Sequence, residues 1–227
     1  MPDDPVLPQR AVQTNALVMS VEWLFEPLWP GDRLMARKRS GRLTLTDAEG
    51  RTCDAEYAET IEALEPAILA DDALIDGVWT PQPFIGDGSA ARNWADTLER
   101  EGLSDEVPDP LETERRRAFV AIDLVEIDGE ELYDVPFQER RRLLEGVIDE
   151  GIQVRVSPIV KQPVDSWLTG WRANGFTHYV AKHQNSRYYP GKRTDDWLEI
   201  STRGEVPRGM IGRMFGMRGE RQRRIQD

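Results

Sequence analysis

The chain is poor in the residues from which most metal and redox sites are built. One cysteine, Cys53, excludes an internal disulfide, and two histidines, His178 and His183, make no cluster at metal-ligand spacing, which removes structural zinc. No apolar run approaches the ~20 residues that cross a bilayer. The opening MPDDPVLPQR has no basic-then-apolar signal layout, so the expected address is cytoplasmic. Positive charge is also short, with 29 basic against 41 acidic side chains and a net charge of −12. Such a body repels a polyanion at long range, so any contact with nucleic acid must come from a local patch. Lysine is the scarcer permanent cation: Lys38, Lys161, Lys182 and Lys192 are the whole supply, and the rest are arginines.

What is present suffices for one large soluble domain: 227 residues, 39% hydrophobic and 31% charged. Residues 1–20 read as a polar, Pro-rich tail that turns apolar at Ala16 to Met19 and leads into a first element. A short strand from Trp23 ends at Pro27. Alternation over 34–38 and 42–46, broken by Arg39, Ser40 and Gly41, predicts a hairpin. Residues 57–69 have near-helical spacing, with Pro66 expected to kink or divide the helix. Strands are expected at 73–79, 119–125, 132–133 and 154–160, and helices at 137–150, ended by Gly151, and at 164–173. Residues 85–116 read as an acidic surface excursion with one helical piece at 94–101. Residues 202–227 hold seven arginines against Glu205, Glu220 and Asp227, a basic C-terminal tail that is either a solvated terminus or a contact arm.

The most informative stretch is 175–201, GFTHYVAKHQNSRYYPGKRTDDWLEIS. An apolar strand delivers Lys182, a Gly-, Pro- and Arg-rich loop follows, and a second strand returns. Gly175, Phe176, Val180, Lys182, Ser186, Tyr188, Pro190, Gly191, Arg193, Asp196, Trp197 and Leu198 stand where the closing motifs of the ATP-dependent DNA ligase adenylation domain have G-F-E-G-V-V-x-K, S-x-Y-x-P-G-x-R and D-W-L-K-x-K. Three more segments match in order. FVAIDLVEIDG (119–129) resembles F-V-x-F-D-L-L-x-x-D-G, VPFQERRRLL (135–144) resembles L-P-L-x-E-R-R-x-L-L, and WLFEPLWPGDR (23–33) resembles W-x-F-E-x-K-W-D-G-x-R. The resemblance covers about 23–201. It implies an α+β, ATP-grasp-like nucleotidyltransferase domain of two mainly antiparallel sheets with flanking helices and a cleft between them.

The resemblance also implies a chemistry, in which a lysine attacks the α-phosphate of ATP with Mg²⁺ assistance and the adenylate passes to a nicked DNA end. That requires an amine in a cationic, metal-bearing pocket. The residue at the nucleophile position is Leu28, whose isobutyl group cannot form a phosphoramidate, and Pro30 replaces the nearby aspartate. Glu26 and Arg33 remain as candidates to hold nucleotide, with Ile122 where an aromatic ring would stack on adenine and Lys182 as a candidate anion binder. A metal-binding glutamate becomes Thr177, the D-G-E glutamate becomes Val78, the arginine after the hairpin becomes Asp47, and two phosphate-binding lysines become Glu199 and Ser201. No metal ligand is assigned, and ATP, AMP and Mg²⁺ are implied by the resemblance alone. Arg193, Arg213, Arg218 and Arg221 are candidates for contact with nucleic acid, and the basic tail for nicked DNA or a protein partner.

Other side chains have plainer readings. Lys38 is expected as an exposed strand residue, and Arg140 to Arg142 beside Glu139 as an exposed helical face. Lys182 fits an anion binder and a cleft ion pair equally well. Only 26 residues follow Ser201, too few for the oligonucleotide-binding barrel that family members carry there, so a domain without autonomous ligase activity in DNA repair or recombination is expected. An active ligase working with a partner subunit, or an interaction scaffold binding no nucleotide, are the alternatives.

Overall fold

A computed structural model describes residues 4–81, 117–151 and 153–203. The acidic excursion at 85–116, its helical piece, and the basic tail beyond Arg203 lie outside the described residues. The architecture is α+β, as expected, with two mainly antiparallel sheets. The first has the order β1 (Arg10–Gln13), β10 (Arg193–Ser201), β9 (His178–His183), β2 (Trp23–Pro27). The second has the order β4 (Arg42–Asp47), β3 (Asp32–Arg39), β5 (Ala73–Pro81), β6 (Arg117–Ile127), β7 (Glu130–Glu131), and β8 (Val154–Val156) pairs with β6 in parallel.

Alternation along the strands sorts side chains between the two faces of each sheet. In the first sheet Phe25, Tyr179, Ala181 and Ile200 point outward into a core completed by Val160, Val164, Trp171 and Phe176 beneath α3 (Asp165–Ala173). In the second, Leu34, Ala36, Leu45, Ile75, Phe119 and Leu124 form the larger core with Leu64 of α1 (Ala58–Ala67) and Leu144 of α2 (Phe137–Val147). Each fully buried aliphatic side chain there contributes about 1.5–3 kcal/mol. The inner faces meet over Met35, Leu74, Val125, Tyr188 and Trp197.

Several local expectations change. Residues 1–20 are more than a lead-in, because β1 forms an edge strand running parallel to β10 and the preceding Gln9 is buried. Pro66 does not divide α1. It lies in the last turn, and the helix ends one residue later. Helix α2 stops at Val147, before Gly151, because Ile148 turns extended and bridges Ile68. The second strand of the 128–129 turn falls at β7 rather than 132–133.

Three basic residues expected on the surface, Lys38, Arg140 and Arg141, are buried. Lys38 shares the core face of β3 with Leu34 and Ala36, and its Nζ donates to the carbonyls of Glu65 (2.9 Å) and Ile68 (2.6 Å) at the end of α1. A cation there satisfies carbonyls that the helix cannot pair and complements its dipole. Arg140 is completely buried, on the same helical face as Phe137 and Leu144. Its guanidinium forks onto Asp123 of β6 (2.9 and 2.8 Å) and also donates to the carbonyls of Val135 and Ser186. Arg142 alone behaves as an exposed helical cation, paired with Glu139.

Candidate functional site

The cleft face of the first sheet follows from register. Lys182 lies opposite Leu24 and Trp197, while Val180 lies opposite Glu26 and Glu199, so all six project to the same side, toward the second sheet. Arg33 on β3 and Ile122 on β6 project back at them. A cavity of about 260 Å³ opens between, lined among others by Glu26, Leu28, Arg33, Ile122, Lys182 and Arg193. Every candidate site residue within the described part of the chain therefore meets at one place. Arg213, Arg218 and Arg221 lie outside the described residues.

The cations of this cavity are already engaged. Lys182 Nζ lies 2.6 Å from Glu26 Oε1, both side chains nearly sealed from solvent. The ammonium also sits 4.0 Å from the Trp197 ring centre and 4.6 Å from that of Phe137, a cation–π arrangement that further stabilises it. Arg33 forks onto Asp76 through Nε (2.5 Å) and Nη2 (2.8 Å), and Asp76 also accepts the Tyr188 hydroxyl at 2.8 Å. Burial works against the Arg33 charge, but the Asp76 carboxylate outweighs it and the guanidinium pKa lies above its ordinary value. Burial, reinforced by Asp76, pushes the Tyr188 phenol well up, so this hydroxyl is a permanent donor. Arg193 is exposed, and its Nη1 donates to the Ala11 carbonyl at 2.7 Å.

One polar atom in the cavity wall is left over. Glu26 Oε2 is buried and accepts no hydrogen bond. Leaving a buried carboxylate oxygen unpaired costs free energy that a donor from a bound molecule would return.

At the position of the expected nucleophile, Leu28 lines the cavity as a half-buried hydrocarbon, its backbone N–H fixed to the His178 carbonyl at 3.1 Å. The chain then turns through Gly31, at φ +132°, into β3. A β-carbon at Gly31 would lie 2.3 Å from the Trp79 carbonyl oxygen, so the turn admits only glycine.

Residues 5–200 match the family model described as the ATP dependent DNA ligase domain. This chain belongs to that family. It is 26% identical to a DNA ligase of Thermococcus onnurineus over 95% of this chain and 39% of that ligase. To the multifunctional non-homologous end joining DNA repair protein LigD of Mycobacterium tuberculosis it is 26% identical over 86% of this chain and 24% of that protein. The crystal structure of the ligase domain of M. tuberculosis LigD superposes with a TM-score of 0.61 at 25% identity, covering 88% of this chain and 61% of that one. The ligase-domain chain thus spans well under half the length of these curated relatives.

Among the described residues no group of three or more His, Cys, Asp or Glu side chains is placed to hold a metal ion. Thr177, in the place of a metal-binding glutamate, is occupied with the ring of His178 at 3.0 Å. Among the described residues no helix is long and apolar enough to cross a membrane.

Sequence reading missed the contribution of the N-terminal segment. Pro8, Gln9, Arg10 and Ala11 form one wall of the cavity, and Gln9 bonds Thr194, Tyr189 and Arg33 at once. Four residues of strand carry too little alternation to reveal themselves, and their partner lies more than 180 positions away. Asp76 enters the sequence reading only as the first residue of the D-G-E motif. Its pairing with Arg33 depends on the register of β3 against β5, which no local pattern reveals.

Proposed function

We propose that this chain is a ligase-like domain that binds an adenine nucleotide without forming a covalent adenylate, and that it serves DNA repair or recombination together with a DNA or protein partner in the cytoplasm. The observation that carries the reading is the wall of the cavity itself. Leu28 offers no nucleophile, and Lys182, the one lysine lining the cavity among the described residues, is committed to Glu26 and two aromatic faces. Lysine attack on phosphorus needs a neutral amine held in line at near-contact distance. Lys38 is sequestered under α1, and Lys161 and Lys192 are exposed away from the cavity.

Binding without chemistry is supported by what is kept. Ile122, Leu28 and Val180 supply apolar walls for a flat base, and Glu26 Oε2 supplies an acceptor for an amino group. Arg193 and the arginines Arg213, Arg218 and Arg221 would supply the local positive charge that an acidic body needs at a nicked DNA end. Incubation with α-³²P-ATP and Mg²⁺, followed by denaturing electrophoresis, is the test. The expected result is no labelled protein, together with saturable non-covalent binding of an adenine compound. Labelled protein, or sealing of a nicked duplex by the purified chain, would establish a working ligase instead.

A further inference from the structure

We infer that the cavity has reversed the order in which it takes adenine compounds, admitting adenosine and its monophosphate in preference to ATP. This inference rests on the adenine reading above and concerns which member of that class the cavity selects.

A triphosphate is bound through cations free to approach it. Four cations reach this cavity; the two that lie between the sheets, Arg33 and Lys182, are committed to carboxylates, and the exposed Arg10 and Arg193 stand at its rim. Arg33 is held by Asp76 in a two-point fork, Lys182 by Glu26, Trp197 and Phe137, Arg193 by the Ala11 carbonyl, and Arg10 lies 3.9 Å from Glu49. Drawing Lys182 away toward a phosphate would leave Glu26 buried with neither oxygen paired, a costly exchange.

The anions point the same way. Glu199 lines the cavity from β10, two residues along the strand from Trp197, with Oε1 held at 3.0 Å by Gln13. Its charge is set against any polyphosphate entering between the sheets. The remaining unpaired group, Glu26 Oε2, is an acceptor and asks for an N–H donor. The walls therefore favour a planar, amine-bearing heterocycle and disfavour each added phosphate.

Calorimetric titration of the full chain with adenosine, AMP and ATP tests this, in buffer with and without Mg²⁺. Adenosine and AMP should bind at least about tenfold more tightly than ATP. Glu199→Lys should narrow or invert that gap, while Glu26→Gln should weaken adenosine. ATP binding as tightly as AMP or more so overturns the inference and leaves non-covalent nucleotide binding standing. Absence of binding by all three overturns both. A mass increment of one adenylate on the protein overturns the non-covalent reading alone.

Discussion

Lys182 Nζ and Glu26 Oε1 meet at 2.6 Å across neighbouring strands β9 and β2, with both side chains almost wholly withdrawn from water. Their strands set them on a diagonal of the same sheet face, since Leu24 is opposite Lys182 and Glu26 opposite Val180. Removing either charge strands the other. Lys182→Met should therefore destabilise the domain by about 3–5 kcal/mol in urea denaturation, whereas Lys182→Met with Glu26→Leu should recover most of that loss. A double variant that loses the sum of what Lys182→Met and Glu26→Leu each lose would show that the pair is not coupled.

Arg140 ties α2 to β6 and to the loop after β9 with a planar fork that lysine cannot reproduce. Arg140→Lys should lose at least ~2 kcal/mol by the same measurement, because one of the two Asp123 oxygens and a buried carbonyl go unpaired. Arg142→Lys, at an exposed position three residues from Glu139, should change stability by less than about 0.5 kcal/mol. A similar small effect at both sites would refute the distinction.

Much of this arrangement was legible in the residues. Alternation drew the β3–β4 hairpin around Ser40 and Gly41, and the closing motifs located Lys182 and Trp197 on paired strands. The burial of Lys38 and Arg140 was legible too, had periodicity been weighed above charge. Lys38 is two residues from Ala36 on one strand face, and Arg140 is three from Phe137 and four from Leu144 on one helix face. The pairing of β1 with β10 was not legible, because a four-residue parallel contact between chain ends leaves no local pattern. Nor was the capture of Arg33 by Asp76, which depends on the registry of β3 against β5.

Gly77 gives way to a ring. A β-carbon there would lie 2.2 Å from the tip of Phe119, beside the shift of register between Asp76 and Gly77. Gly77→Ala should cost about 1–3 kcal/mol through overpacking. Adding Phe119→Leu to Gly77→Ala should return part of it, since the shorter side chain vacates the clash. If the double variant is no better than the sum of its singles, the contact is not the reason for glycine.

Cys53 should be a sluggish thiol. Burial, with the charges of Asp47, Asp54 and Glu56, raises its pKa to about 11. The neutral thiol is thus favoured on folding, so its contribution to stability is complete below the unfolded pKa near 9 and is lost as pH rises from there through about 11. Alkylation by iodoacetamide at pH 8 should run about a hundredfold slower than in urea, in proportion to the thiolate present. Equal rates folded and unfolded would contradict the shift.

Restoring an amine should not by itself restore the chemistry. In Leu28→Lys the new ammonium would enter a cavity that already holds Glu26 and Glu199, and Glu199 opposes the charge that builds on the phosphates as the amine displaces pyrophosphate. Proximity then supplies a nucleophile without the cationic surroundings that stabilise its transition state. Leu28→Lys alone should remain unlabelled by α-³²P-ATP and Mg²⁺, while Leu28→Lys with Glu199→Lys should acquire an acid-labile label retained on denaturing gels. Label on the single variant would mean that the missing lysine was the whole defect, and that the acid at 199 is no barrier to adenylation.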